Sequence, residues 1–210
     1  MPINRPSSLD DKSDIYLLAV NDDALYDLAL DLPSYADKLF LHTSGSTPTD
    51  VLKRLSPHYG VVWSPQTFVR DLAMDYSHLP LCIEGSSPAV ETAIEELFAT
   101  ISTNIYHLDY EQRRWAHLTA VFVNNFGNAV NALAQDLAFR HGIDFSMLRP
   151  IAEATVKKMD YGLLWPQQTG PAIRHDQKTI DAQRRLLSSE PQLLQLYDLM
   201  TAFIQQSHNQ

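Results

Sequence analysis

Two groups of residues in this sequence have the types and spacing to do chemistry. The first lies on a helical pattern from Glu111 to His141. There His117, Asn124, Asn128, Asn131 and Gln135 fall within roughly 60° of one another at about 100° per residue. A solvated stripe is normally Lys and Glu, yet no charged residue occurs between Trp115 and Gln135. Neutral amides headed by a histidine suggest hydrogen-bonded burial or the wall of a polar cavity, with a plain solvated stripe as the alternative. The second group sits in three loops that follow apolar runs: Val20-Asn-Asp22, His42-Thr-Ser-Gly-Ser46 and Ser64-Pro-Gln-Thr67. Val20-Asn-Asp22 also reads as an ordinary turn, and His42 as a hydrogen-bonded histidine at a strand end. Thr43-Ser-Gly-Ser46 offers hydroxyls and a glycine beside a helix N-terminus, a geometry that holds an anion or a carboxamide.

Other chemistries find less support. His58, His78, His107, His141 and His175 are scattered, with no H-x-x-x-H or H-E-x-x-H spacing, so no metal site is expected. Cys82 is the only cysteine, which rules out an intrachain disulfide. A net charge of −9 without a basic patch disfavours nucleic acid. Trp63, Trp115 and Trp165 read as core or interface aromatics. No segment qualifies as a signal peptide or a membrane span, so a cytoplasmic protein is expected.

The elements that must position these residues fall into two halves. Met1 to Ser13 is polar and reads as a poorly ordered lead-in. Asp14-Ile-Tyr-Leu-Leu-Ala-Val20 is a continuous apolar run, the pattern of a strand buried on both faces of a parallel sheet. Four more short strands follow, over 38–42, 60–63, 81–84 and 104–107, with helices over 24–32, 48–55 and 88–101 between them. Such alternation predicts an α/β fold with a mostly parallel sheet, whose ligands lie at the carboxyl ends of its strands. After Asp109 only helices are predicted: the long one, then about 145–159, 176–188 and 191–206. Asp109 caps the long helix with Gln112 as its capping-box partner, and Gly142 ends it. The expected organisation is therefore a lead-in (1–13), a strand-bearing domain (14–110) and a helical domain (111–210). Glu153 and Lys157, four apart, are expected to pair.

Seven ordered motifs then carry a resemblance. They are Asp14 to Asp22, Leu41-His-Thr-Ser-Gly-Ser46, Ser64-Pro-Gln-Thr-Phe68, Ile83-Glu-Gly85, Arg114 to Phe126, Leu148-Arg-Pro-Ile151 with Glu153-Ala-Thr155, and Gln168 to Asp176. From about residue 14 to the C-terminus the chain resembles Rossmann-like proteins with a helical C-terminal domain of unknown function. Those are similar in architecture to pyrroline-5-carboxylate reductase and the 6-phosphogluconate dehydrogenase superfamily. The resemblance implies an NAD(P) cofactor across the strand ends and a homodimer formed through the helical domain. It makes Val20, Asn21, Asp22, His42, Thr43 and Ser44 the cofactor-binding residues, with the turn after Val20 facing the ribose and Thr43-Ser44 the nicotinamide. His117 and Asn124 would face a small-molecule substrate, Gln66 would close the cleft, and the loop from Gly170 to Asp176 would border it or reach a neighbouring subunit. Ser64 stands where the family often has His, so no acid–base role transfers to it.

The sequence departs from the family at its front. Its seven glycines, at 45, 60, 85, 127, 142, 162 and 170, include no G-x-G-x-x-G fingerprint. The fold expected is thus a partial Rossmann-like sheet followed by an all-helical domain built on one long helix. The run from Ile15 to Val20 would become an apolar edge strand, either in a fragment of a longer product or covered by a partner. Two functions follow. One is an NAD(P)-dependent oxidoreductase-like protein with His117 as general acid or base, Asn124 and Gln66 orienting the substrate, and Ser44 donating to the substrate or carboxamide. The other is a non-catalytic homodimeric binding or scaffold protein.

Overall fold

The computed structural model describes Leu9 and residues 12–68 and 74–207; most of the expected lead-in lies outside them. All five expected strands form: β1 (Ile15–Leu18), β2 (Leu39–His42), β3 (His58–Trp63), β4 (Leu81–Gly85) and β5 (Ile105–His107). They build one sheet in the order β1-β2-β3-β4-β5. β1, β2 and β3 run parallel, as do β4 and β5, whereas β3 and β4 are antiparallel. A parallel step needs a crossover, usually a helix. Among the described residues between β3 and β4 only a 3-10 turn forms, Tyr76–His78.

The period of two along each strand sorts the core onto the two faces of the sheet. Phe40 and Leu18 pack with Leu25 and Ala29 of α1 (Asp22–Asp31) and with Leu32, which caps its C-terminus. Leu41, Val62 and Ile83 pack with Val90 and Ile94 of α2 (Pro88–Phe98). A smaller cluster of Val61, Trp63 and Cys82 takes Ala116 of α3 (Tyr110–Ala120) against it. The helix expected over 48–55 shortens to a 3-10 turn, Thr49–Leu52, with Pro48 at the cap position. β1 has a single neighbour among the described residues, and Ile15 and Leu17 are exposed.

The long helical stretch opens as read: Asp109 accepts from the Gln112 N–H, and the Gln112 side chain accepts from the Asp109 N–H. It continues through α3, a π-helical turn (Val121–Phe126) and α4 (Gly127–Arg140). The chain divides into two compact units, Met1–Leu133 and Ala134–Gln210, with the division inside α4. In the second unit α5 (Arg149–Lys157), α6 (Gln177–Leu186) and α7 (Pro191–Ser207) follow. Arg184 pairs with Asp198, and Tyr197 donates to Gln183 at 2.6 Å. Glu153 pairs with Arg149 rather than Lys157, one turn earlier on the same helix. No helix among the described residues is long and apolar enough to cross a membrane.

Candidate functional site

The loop after β2 is built on its own hydroxyls. Ser44 Oγ accepts the backbone N–H of Ser46 at 3.2 Å and of Thr47 at 2.9 Å, and donates to Thr47 Oγ1 at 2.9 Å. His42 Nδ1 accepts the Ser44 N–H at 3.1 Å, so in the neutral ring the proton sits on Nε2. Burial, with the Arg113 charge adding to it, lowers the His42 pKa from 6.5 to about 4, and the ring is neutral at physiological pH. His42 and Ser44 are enclosed; His42 Nδ1 and Ser44 Oγ hold the loop's shape, while the buried His42 Nε2 has no hydrogen-bond partner among the described residues. Thr43 is half-buried. The polar groups that reach solvent here are Asn21, Asp22 and Ser46, with Ser46 Oγ donating to the Asp22 carboxylate. Val20 beside them is also exposed.

Gly45 is the tightest point of the loop. A Cβ there would lie 2.7 Å from His117 Cδ2 and 2.7 Å from Trp63 Cε2. The His117 and Trp63 rings are 5.7 Å apart, centroid to centroid. α3 thus sets His117 directly against the loop, which only a glycine allows. Among the described residues the His117 ring makes no hydrogen bond, and it is half-buried.

One turn before His117, Arg113 is fully buried. Its Nη2 donates to the Thr47 carbonyl at 2.7 Å and to Thr49 Oγ1 at 3.3 Å. Its Nη1 donates to the Glu84 carboxylate on β4, which also accepts from Thr49 Oγ1. One guanidinium therefore ties α3, the loop after β2 and β4 together.

Asn124 lies in the π-helical turn and donates to Thr67 Oγ1 at 2.7 Å. The extra backbone residue of a π turn re-aims side chains, which is why such turns recur at functional sites. Gln66 is exposed, and its Oε1 accepts the Thr67 N–H at 3.0 Å, turning the amide back onto its own loop. The structure thus brings His117 to the Thr43–Thr47 loop and Asn124 to the Ser64–Phe68 segment. The amide stripe is not enclosed within the chain: Asn124, Asn128, Asn131 and Gln135 are all exposed, and Asn131 bonds its own helix at the Gly127 carbonyl. Apolar residues of the same stretch, Trp115, Phe122 and Val123, are exposed as well.

Sequence reasoning gave no part to Arg113, Glu84 or Thr49, and it singled out the Thr43-Ser-Gly-Ser46 loop without finding that Gly45 meets His117 or that Ser46 is its outward hydroxyl. Arg113 sits in the polar run Glu111-Gln-Arg-Arg114, where it looks like any solvated surface residue. Its spacing of four from His117, which puts both on one helix face, was the one signal for it.

The comparisons with known proteins bear on the family and the fold. Residues 79–204, more than half of the chain, match the family described as a domain of unknown function, DUF2520. The chain belongs to the DUF2520 family. No functionally curated protein matches it. Over 92% of its length it is 32% identical to a candidate NADP oxidoreductase from Bacteroides fragilis, covering 76% of that chain with a TM-score of 0.83. A Thermotoga maritima protein is similar at 18% identity and a TM-score of 0.76, with 96% of this chain and 82% of that one covered. A reductive aminase from Aspergillus terreus, crystallised with NADPH and ethyl levulinate, shares 15% identity over 93% of this chain and 73% of its own. Its TM-score is 0.60. This DUF2520 member therefore has an oxidoreductase-like Rossmann fold, followed by helices. Among its described residues no three His, Cys, Asp or Glu side chains converge as a metal site.

Proposed function

We propose that this protein is an NAD(P)-dependent oxidoreductase-type protein acting on a small molecule at the loop ends of β1 and β2. The observation that carries the reading is the seating of His117 on Gly45 and Trp63, beside a hydroxyl-rich loop at a strand end. The exposed Asn21, Asp22 and Ser46 fit the hydroxyls and carboxamide of the nicotinamide half of a cofactor, with His42 and Ser44 shaping the loop beneath them. The cofactor would exchange a hydride with a substrate carbon. His117 would give or take the matching proton at a ring nitrogen. Asn124 and Gln66 would orient the substrate once freed from their present partners. The pyrophosphate has no glycine loop among these residues to bind it.

The reading is tested by titrating NADPH and reduced nicotinamide mononucleotide in parallel. Both are expected to bind weakly, with similar affinity, and Ser46→Ala and Asp22→Asn to weaken both alike. Micromolar NADPH binding well above that of the mononucleotide would overturn the half-site assignment. Failure of both to bind would favour the alternative, a non-catalytic homodimeric scaffold.

Dimerisation is part of both readings. Phe139, Leu163 and Leu186 in the second unit are each more than 80% exposed in the single chain, a load of apolar surface that a second copy would cover. Light scattering is expected to give twice the 23.8 kDa chain mass. A monomer at micromolar concentration would overturn this.

A further inference from the structure

The proton-exchange reading accounts for His117 but not for the buried arginine one turn before it. Placing a guanidinium out of water is unfavourable unless its donors are met, and replacing such a pair by apolar groups is often neutral or stabilising. Arg113 is therefore poorly explained as a stability device. Its partners are informative: the Thr47 carbonyl, at the end of the hydroxyl loop; Thr49, at the start of the following turn; and Glu84 on β4. A planar fork reaching three elements fixes their relative register as a flexible lysine could not. Thr47 is itself tied to Ser44 by two hydrogen bonds, so the register is passed to Gly45. On the other side Arg113 belongs to the same rigid helix as His117, four residues on.

We infer that Arg113 is a positioning residue. Clamped to Thr47, Thr49 and Glu84, it sets the register of α3 on the Thr43–Thr49 loop and so holds the His117 imidazole against Gly45 and Trp63. Closer approach is blocked, because Gly45 leaves no room for even a methyl group, and the clamp is what prevents separation. Loss of the clamp lets the helix and loop slide apart and His117 leave the Trp63 ring. The inference rests on His117 as the proton-exchange group for its functional meaning, but not for its test.

The test reads the His117 Cδ2–Hδ2 signal in a carbon–proton NMR correlation spectrum, assigned by its disappearance in His117→Gln. In the wild-type protein this signal is expected upfield of the other histidines, through the Trp63 ring current. In Arg113→Met/Glu84→Gln, which removes both charges and leaves neither unpaired, it is expected to lose most of that displacement while circular dichroism stays native. A purely stabilising role would lower the melting temperature and leave the signal in place. A folded double variant with an unmoved signal, or a wild-type signal with no displacement, overturns the inference. Should the double variant not fold, Thr49→Val decides: it removes only the bridging hydroxyl, is expected to shift the signal part of the way, and overturns the inference if nothing moves. Turnover lost in His117→Gln but not in the clamp variants would leave the chemistry intact and sink the positioning role. An unaffected turnover in His117→Gln, with the NMR shifts as expected, would sink only the chemical role of His117.

Discussion

Gly45 and His117, 72 positions apart in sequence, pack so closely that no methyl group fits on Gly45. A Cβ on Gly45 would stand 2.7 Å from His117 Cδ2. Gly45→Ala must push the imidazole or the Trp63 indole aside, because its backbone needs no unusual φ and the obstacle is space alone. Overpacking of this kind costs about 1–3 kcal/mol. Urea denaturation is expected to show that loss, together with a changed tryptophan emission spectrum. A wild-type midpoint and spectrum would show that the loop and helix are not in contact.

Arg113→Met alone leaves the Glu84 carboxylate and the Thr49 hydroxyl without their shared donor. Breaking one side of a buried pair costs about 3–5 kcal/mol. The Glu84 side chain keeps 21% of its surface in water, which puts the expectation at the lower end of that range. The double variant with Glu84→Gln is expected to recover part of it. A double variant less stable than the sum of the two singles would contradict the pairing.

His107 at the end of β5 lies between two carboxylates of α2, with Nδ1 2.8 Å from Glu91 and Nε2 3.4 Å from Glu95. Its pKa is raised, first by the Glu91 hydrogen bond, which desolvation opposes, and then by the charges of Glu95 and Glu91. A raised folded-state value stabilises the fold fully below the unfolded value near 6.5, and that contribution is lost as pH climbs through the folded value. The ring is about half exposed, so solvent screening limits the effect to a fraction of a kcal/mol. Wild type minus His107→Gln stability, from urea midpoints, should be larger at pH 5.5 than at pH 8.5. The reverse order would rule out the carboxylate cage.

Leu17 projects half-exposed from β1, whose outer edge has no partner among the described residues. Edges of this kind template further strands unless a charge interrupts them. Leu17→Lys is expected to reduce concentration-dependent light scattering without altering circular dichroism, since the inward residues Tyr16 and Leu18 remain. Unchanged aggregation would point to another surface.

Much of the fold was legible because its signals are local. The apolar runs at β1 and β2 depend on neighbours in sequence, and so does the Asp109–Gln112 capping box, which formed as read. The candidate site was half legible. His117 and Asn124 stood out by spacing on one helix face, and the Thr43–Ser46 loop by composition. Ser44, read as a donor to a ligand, is instead nearly buried with its hydroxyl engaged inside the loop, and Ser46 is the hydroxyl left outside. Composition cannot tell those two serines apart, because the turn geometry selects which one faces inward.

By itself the sequence determined the strands, the capped long helix, the polar stripe headed by His117 and the family to which the chain belongs. The first three rest on periodicity or on contacts within a few residues; the family rests on the match along 79–204. Only the tertiary structure decided that Arg113 is buried while Arg114 beside it is exposed, that β4 runs against β3, and that Gly45 meets His117. Arg113 reaches partners 29 to 66 residues away. Whether a charged side chain is sheltered depends on such distant groups arriving with matching hydrogen-bond geometry, and no local pattern encodes their arrival.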